Sequence, residues 1–231
     1  MNPKNKTHRK TALIVGVLYI IGTISGILSL SFSDAVRNAQ YQLIQVSTDE
    51  TQIIIAALCV LTMGLALTLV PVMMYPVLKK SNPVLAWGYV VFRSGLEAMG
   101  YILTTVSWLL LVPLSRAYIA ANTTDVALLE SLGAILFAGD ELGSVLNIVF
   151  SLGATMFYMA LFRAKLIPRW LSGWGLLALI FYFASGLLGM FNIIDPLSSA
   201  GVVMQLPLAL QEMVLAVWLI VKGFDLDIHN A

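Results

Sequence analysis

The chain has 231 residues, 59% of them hydrophobic and 11% charged, with a net charge of +1 and a mean hydropathy of +0.91. Soluble domains carry roughly 25% charged and roughly 45–50% apolar residues, so this balance excludes a water-soluble enzyme and a disordered chain. A net charge near zero also excludes a nucleic-acid binder with a basic face. What remains is an all-α polytopic membrane protein.

A helix crossing about 30 Å of hydrocarbon needs about 20 mainly apolar residues. Six stretches meet that length: 11–31, 52–76, 84–112, 131–162, 170–192 and 202–222. Lipid offers the backbone no hydrogen-bond partner, so such runs form helices or a closed barrel. Continuous apolar runs without two-residue alternation exclude the barrel. The connections are short, and the reading is a single membrane domain over 1–231, a bundle of six transmembrane helices.

The first span follows Lys4, Lys6, Arg9 and Lys10, as a signal peptide would. Its apolar run from Leu13 to Leu30 is longer than an ordinary signal h-region, so a retained span is expected. Residues 32–50 form the first connection at the far side, where a short interfacial helix would turn Val36, Tyr41 and Leu43 toward lipid headgroups. Span two carries Pro71 and Pro76 and span six carries Pro207, each able to kink its helix by removing a backbone hydrogen bond. Residues 113–130 form the second far-side connection, opened by Pro113. Gly22 with Gly26, and Gly139 with Gly143, have the spacing that lets helices approach closely.

Orientation follows the lysine and arginine bias of short loops. Lys4, Lys6, Arg9, Lys10, Lys79, Lys80, Arg163, Lys165, Arg169 and Lys222 fall at one end, against Arg37 and Arg116 at the other. Both termini are therefore expected on the cytoplasmic side. Tyr75, Trp87, Tyr118, Trp170 and Trp174, near span ends, read as interface anchors.

Polar residues inside the spans carry the functional information. A charge at the bilayer centre costs about 2.5–3.5 kcal/mol on insertion scales, so it faces the bundle interior and has a partner. Arg93 and Glu97 lie four apart on one face of span three, with Gly100, Thr104 and Trp108 expected to continue that face. Span four carries Asp140 and Glu141, then a polar stripe through Ser144, Asn147, Ser151, Thr155 and Tyr158. Span five adds Tyr182, Ser185, Gly189 and Asn192. Span six places Gln205 and Glu212 on one face, with Gln211 to the side.

Counting about 1.5 Å per residue, Arg93 and Glu212 both lie about 14–15 Å from the same end. One guanidinium can serve two carboxylates. The expectation is a cluster of Arg93, Glu97 and Glu212 at mid-membrane, with Asp140, Glu141 and Asn147 nearer the far mouth. Acids outnumber the single buried base, so an acid without a fixed cation is expected. Such a group could carry a proton, bind a cation or act as an acid. A purely structural reading, in which the charges fix helix register and the stripe glues helices together, stands beside it.

The single cysteine, Cys59, and the two histidines, His8 and His229 near the termini, leave no histidine-built metal site and no Ser/His triad in the spans. Neither a metal nor a cofactor is expected, and no catalytic residue is assigned. The bilayer is the expected partner, with a small or lipophilic ligand and no nucleic acid; the oligomeric state is open.

Several runs resemble a known family: Gly16-Val17-Leu18-Tyr19-Ile20-Ile21-Gly22-Thr23, Tyr75-Pro76-Val77-Leu78-Lys79, and Gly88-Tyr89-Val90-Val91-Phe92-Arg93 with Glu97. Leu166-Ile167-Pro168-Arg169-Trp170-Leu171-Ser172-Gly173-Trp174-Gly175 and the run from Leu210 to Phe224 are the more specific. Together they resemble the bacterial membrane proteins filed as domain of unknown function 4386, over nearly the whole chain. The resemblance implies a bacterial inner-membrane location and brings no activity, cofactor or site residue. Three classes remain: a carrier or binding protein using buried carboxylates; a structural or partner-binding protein without chemistry; and, third, an acid–base enzyme acting on a lipid or isoprenoid.

Overall fold

A computed structural model describes residues 3–38, 42–121, 126–137 and 142–225. Among the described residues every regular element is helical, in the order α1 (Pro3–Arg37), α2 (Gln42–Thr48), α3 (Glu50–Leu78), α4 (Pro83–Val90), a π-helical turn (Val91–Leu96), α5 (Glu97–Ala120), α6 (Val126–Phe137), α7 (Leu142–Ala164), α8 (Arg169–Met190) and α9 (Ser199–Val221). Six of the resulting rods are long and apolar enough to cross a membrane: His8–Arg37, Glu50–Leu78, Pro83–Ala120, Gly143–Ala164, Arg169–Met190 and Ser199–Val221. Their outward residues, such as Ile24, Leu58, Leu65, Ile102, Leu177 and Ile180, are exposed and apolar, as a lipid-facing surface requires.

The spans form a closed ring. α1 packs on α3, α3 on α5, the α4–π segment on α7, α7 on α8, α8 on α9, and α9 returns to α1. At the end carrying most of the lysines and arginines, here the basic end, α9 stops at Gly223, whose φ of +79° suits glycine and ends the helix. Arg9 of α1 then donates to the carbonyls of Leu219 at 3.1 Å, Ile220 at 2.6 Å and Val221 at 3.3 Å. One side chain thereby satisfies the last carbonyls of α9 and closes the ring between first and last spans. Asn82 caps α4 by accepting from the Leu85 backbone at 3.0 Å, and Pro83 takes the first helical position, where its missing N–H costs nothing.

Three local expectations change. Pro113 does not open a loop: α5 runs through it to Ala120. Span three then extends over 38 residues, about 57 Å, well beyond the hydrocarbon, so its last turns stand clear at the distal end. Span four starts later than residue 131, because α7 alone provides 23 residues and crosses the bilayer by itself. The surplus apolar run forms the separate short helix α6, and the sequence between them holds two acids. A short helix does follow α1, but Val36 and Leu43 are buried rather than turned to headgroups, while Tyr41 lies outside the described residues. They pack with Val46, Ile53, Ala57, Trp108, Leu111 and Val112 under the protruding end of α5.

Pro71, Pro76 and Pro207 also sit inside continuous helices. Gly22 and Gly26 bring α1 against Leu67 and Met63 of α3, as small residues at that spacing allow. Gly143 has no neighbour within 4 Å of the place a Cβ would take, so it makes no close approach; Gly139 lies outside the described residues.

Candidate functional site

Arg93 sits inside the π turn, and that turn sets the site. Five-residue hydrogen bonding shifts the helical register by about one position, and the buried face beginning with Ala86 and Tyr89 continues through Arg93, Glu97, Thr105 and Trp108, with Tyr101 and Thr104 beside it on the cavity wall. Arg93 and Glu97 are each 1% exposed. One amino group of Arg93 donates to both Glu97 oxygens at 2.5 Å. The Tyr101 hydroxyl donates to Glu97 Oε1 at 2.6 Å, so this carboxylate is held by two donors. The guanidinium carbon lies 4.2 Å from the centroid of the Phe150 ring, a cation–π contact across to α7. Gly153 leaves room for the arginine stem: a Cβ there would stand 2.8 Å from Arg93 Cγ. Beside Arg93, the Ser94 hydroxyl donates to the Thr68 carbonyl of α3 at 2.7 Å, tying the π turn to the neighbouring span.

Glu212 of α9 is placed differently. It lies in electrostatic range of Arg93 and Glu97 but makes no hydrogen bond or ion pair among the described residues. It lines a cavity of about 430 Å³ whose walls come from all six spans. Gln205, Leu208 and Ala209 share that face of α9 at helical spacing, and Thr104, Phe150 and Tyr182 line the cavity from α5, α7 and α8. From the Glu212 level the cavity extends along α1 past Gly26 to Arg37 at the distal end. Arg37 is engaged there, donating to Ser33 at 3.0 Å and lying 5.1 Å over the Trp108 ring.

Of the other residues expected at the site, Gln205 donates to the Pro196 carbonyl at 2.8 Å and to the Gly201 carbonyl at 3.3 Å, so it anchors the start of α9 while lining the cavity. Asn147 is buried, with its Cβ where Gly186 of α8 packs. Ser151 and Thr155 donate to carbonyls one turn back on α7, so much of that stripe is spent locally. Asp140 and Glu141 lie outside the described residues.

Gln211, read from spacing as lying to the side, is fully buried. It accepts from the Tyr158 hydroxyl at 2.6 Å and donates to the Leu171 carbonyl at 3.0 Å, joining α7, α8 and α9. Sequence reasoning also missed Tyr19, Tyr89 and Tyr101. With Tyr158 and Tyr182 they surround the three charges, each in electrostatic range of at least two of them. The usable signal was depth: these tyrosines sit mid-span, where an interface anchor has no place, and Tyr101 follows Glu97 by four. The Tyr89 hydroxyl is buried without a hydrogen-bond partner among the described residues, and its ring stacks on Phe157 at 4.5 Å.

The described residues include no group of three or more His, Cys, Asp and Glu side chains placed to hold a metal ion. Chemically, the arrangement offers one neutralised ion pair, one carboxyl without a partner and a mainly apolar chamber with aromatic rings. The family described as Domain of unknown function (DUF4386) matches residues 14–223, and the chain belongs to that family. No curated protein and no solved structure matches the chain.

Proposed function

We propose that this member of the DUF4386 family is a multi-pass protein of the bacterial inner membrane, with both termini cytoplasmic, that binds and carries a small lipophilic molecule in its central cavity. Glu212 is the polar anchor, a site for a proton or a cation. The observation that carries this reading is an unpaired carboxyl on the wall of a chamber at mid-membrane depth. A bundle selected only for packing gains nothing from such a group, which is expensive in hydrocarbon. The chamber falls within the roughly 300–1,000 Å³ range of small-molecule sites, apolar with few polar groups. An acid–base enzyme gains less support, because Glu97 is already committed to Arg93 and Tyr101.

The test uses three aromatic probes of nearly equal shape: neopentylbenzene, benzyltrimethylammonium and phenylmethanesulfonate, carrying no charge, one positive and one negative charge. The purified protein in detergent is melted with each. At least one should raise the midpoint saturably, as a ligand that binds only the folded state does. Ala209→Trp, which sets an indole on the chamber wall, should weaken the rise without lowering the unliganded midpoint. If no probe shifts the parent protein, the binding role is wrong. The orientation is checked separately by reporter fusions at the two termini, both of which should read cytoplasmic.

A further inference from the structure

We infer that the cavity selects a lipophilic cation, an ammonium carrying an apolar or aromatic group, with its charge between Glu212 and the rings of Phe150, Tyr101 and Tyr182; this rests on the binding role proposed above. The first argument is a charge count. At mid-membrane the described residues hold one guanidinium, Arg93, and two carboxyls, Glu97 and Glu212. Arg93 is spent on Glu97 at 2.5 Å. The chamber therefore keeps one acid whose counter-charge has to arrive from outside. Arg37 does not provide it: on α1 it stands 14 residues beyond Thr23, which lines the inner part of the cavity, and that is about 21 Å along the helix.

The second argument is the material of the wall. Phe150 and Tyr182 form a tilted pair with centroids 5.0 Å apart, and both line the cavity with Tyr101. Aromatic faces attract cations, most strongly where water is excluded. Phe150 already serves one cation in this way, through the Arg93 guanidinium at 4.2 Å. The remaining wall, including Met63, Leu67 and Leu146, suits an apolar group. An anion entering the chamber would meet an ionised Glu212, and a neutral ligand would leave that charge without a counter-ion, because Arg93 is held by Glu97.

The same three probes separate this claim from the one it rests on, by dissociation constants measured calorimetrically in detergent. Benzyltrimethylammonium should bind at least ~10-fold tighter than its neutral isostere neopentylbenzene, and phenylmethanesulfonate weakest of the three. Glu212→Gln should bring the cation to within ~2-fold of the neutral probe, and Tyr182→Leu should weaken the cation ~2–5-fold while leaving the neutral probe unchanged. If the neutral or anionic probe binds as well as the cation, or if the preference survives Glu212→Gln, the cation claim is overturned while the binding role stands. If none of the three binds, both fall. The parent comparison decides the claim even where a variant does not fold.

Discussion

The basic and distal halves of the bundle are built to different specifications. In the basic half, Tyr19, Met74, Tyr89, Phe157, Leu161, Leu171 and Leu219 pack in one buried cluster drawn from all six spans. Several polar links tie that half together: the end of α9 is closed by Arg9, Gln211 joins three helices, and Arg93 holds Glu97. In the distal half the spans leave a chamber, and the small cluster around Val36 and Trp108 packs beside it, under the extended α5. A rigid base with a partly empty upper half can hold a ligand without giving up the fold. Mutations should therefore divide by half, with stability lost at the base and binding lost above it.

The largest loss is expected where the two halves meet. Among the described residues, Arg93→Ala removes the only cation within reach of Glu97, leaves that acid buried, and empties the space between Gly153 and Phe150. Breaking a buried pair by deleting one partner costs about 3–5 kcal/mol. The variant should melt far below the parent in detergent and express poorly. An unchanged melting temperature would mean that Arg93 is not a keystone of the base. Gln211→Leu comes next: it strands the Tyr158 hydroxyl and frees the Leu171 carbonyl, for a loss of about 1–3 kcal/mol. Denaturant titration with far-ultraviolet dichroism would show it, and a parent-like midpoint would remove Gln211 from the list of structural links.

Gly175→Ala ranks with or just below it. The new methyl would stand 2.8 Å from two carbons of the Tyr158 ring, which its bond to Gln211 holds in place. Overpacking of this kind costs about 1–3 kcal/mol. Gly88, its counterpart on the other side of α7, faces the flexible Met156 side chain. Gly88→Ala should therefore cost less than Gly175→Ala, and the reverse order would show that the Tyr158 ring is free to move.

Why some of this was legible in the sequence and some was not follows from the length scale of each signal. The spans were legible because about 20 apolar residues are a solvent-transfer signal that tertiary contacts do not erase. The Arg93–Glu97 pair was legible because four-residue spacing is local. Pro113 misled because a helix can run through a proline where its surroundings hold it, as α3 does at Pro71 and Pro76 and α9 at Pro207. The run 131–162 misled because apolar length does not say where one helix stops and the next begins. The π turn left no periodic trace, and with it the register of Arg93 to the helix before it was not legible. Gln211 was misplaced because adjacent residues differ by only about 100°, less than the uncertainty in the rotation of a whole span. Only the packing of α7 and α8 against α9 decides which of the two meets protein and which meets the chamber.

The smallest effects are predicted for the distal half. Nothing lies within 4 Å of a Cβ built on Gly143, which lines the chamber near the start of α7. Gly143→Ala therefore adds helix propensity without a clash, and the parent's stability should be kept or raised by up to about 1 kcal/mol. Glu212→Gln removes a carboxyl that no residue of the fold pairs with, so its melting midpoint should equal or exceed that of the parent while cation preference is lost. A loss in either variant as large as that of Gln211→Leu would show that the chamber helps support the fold. The line between a rigid base and a receptive upper half would then have to be redrawn through Glu212.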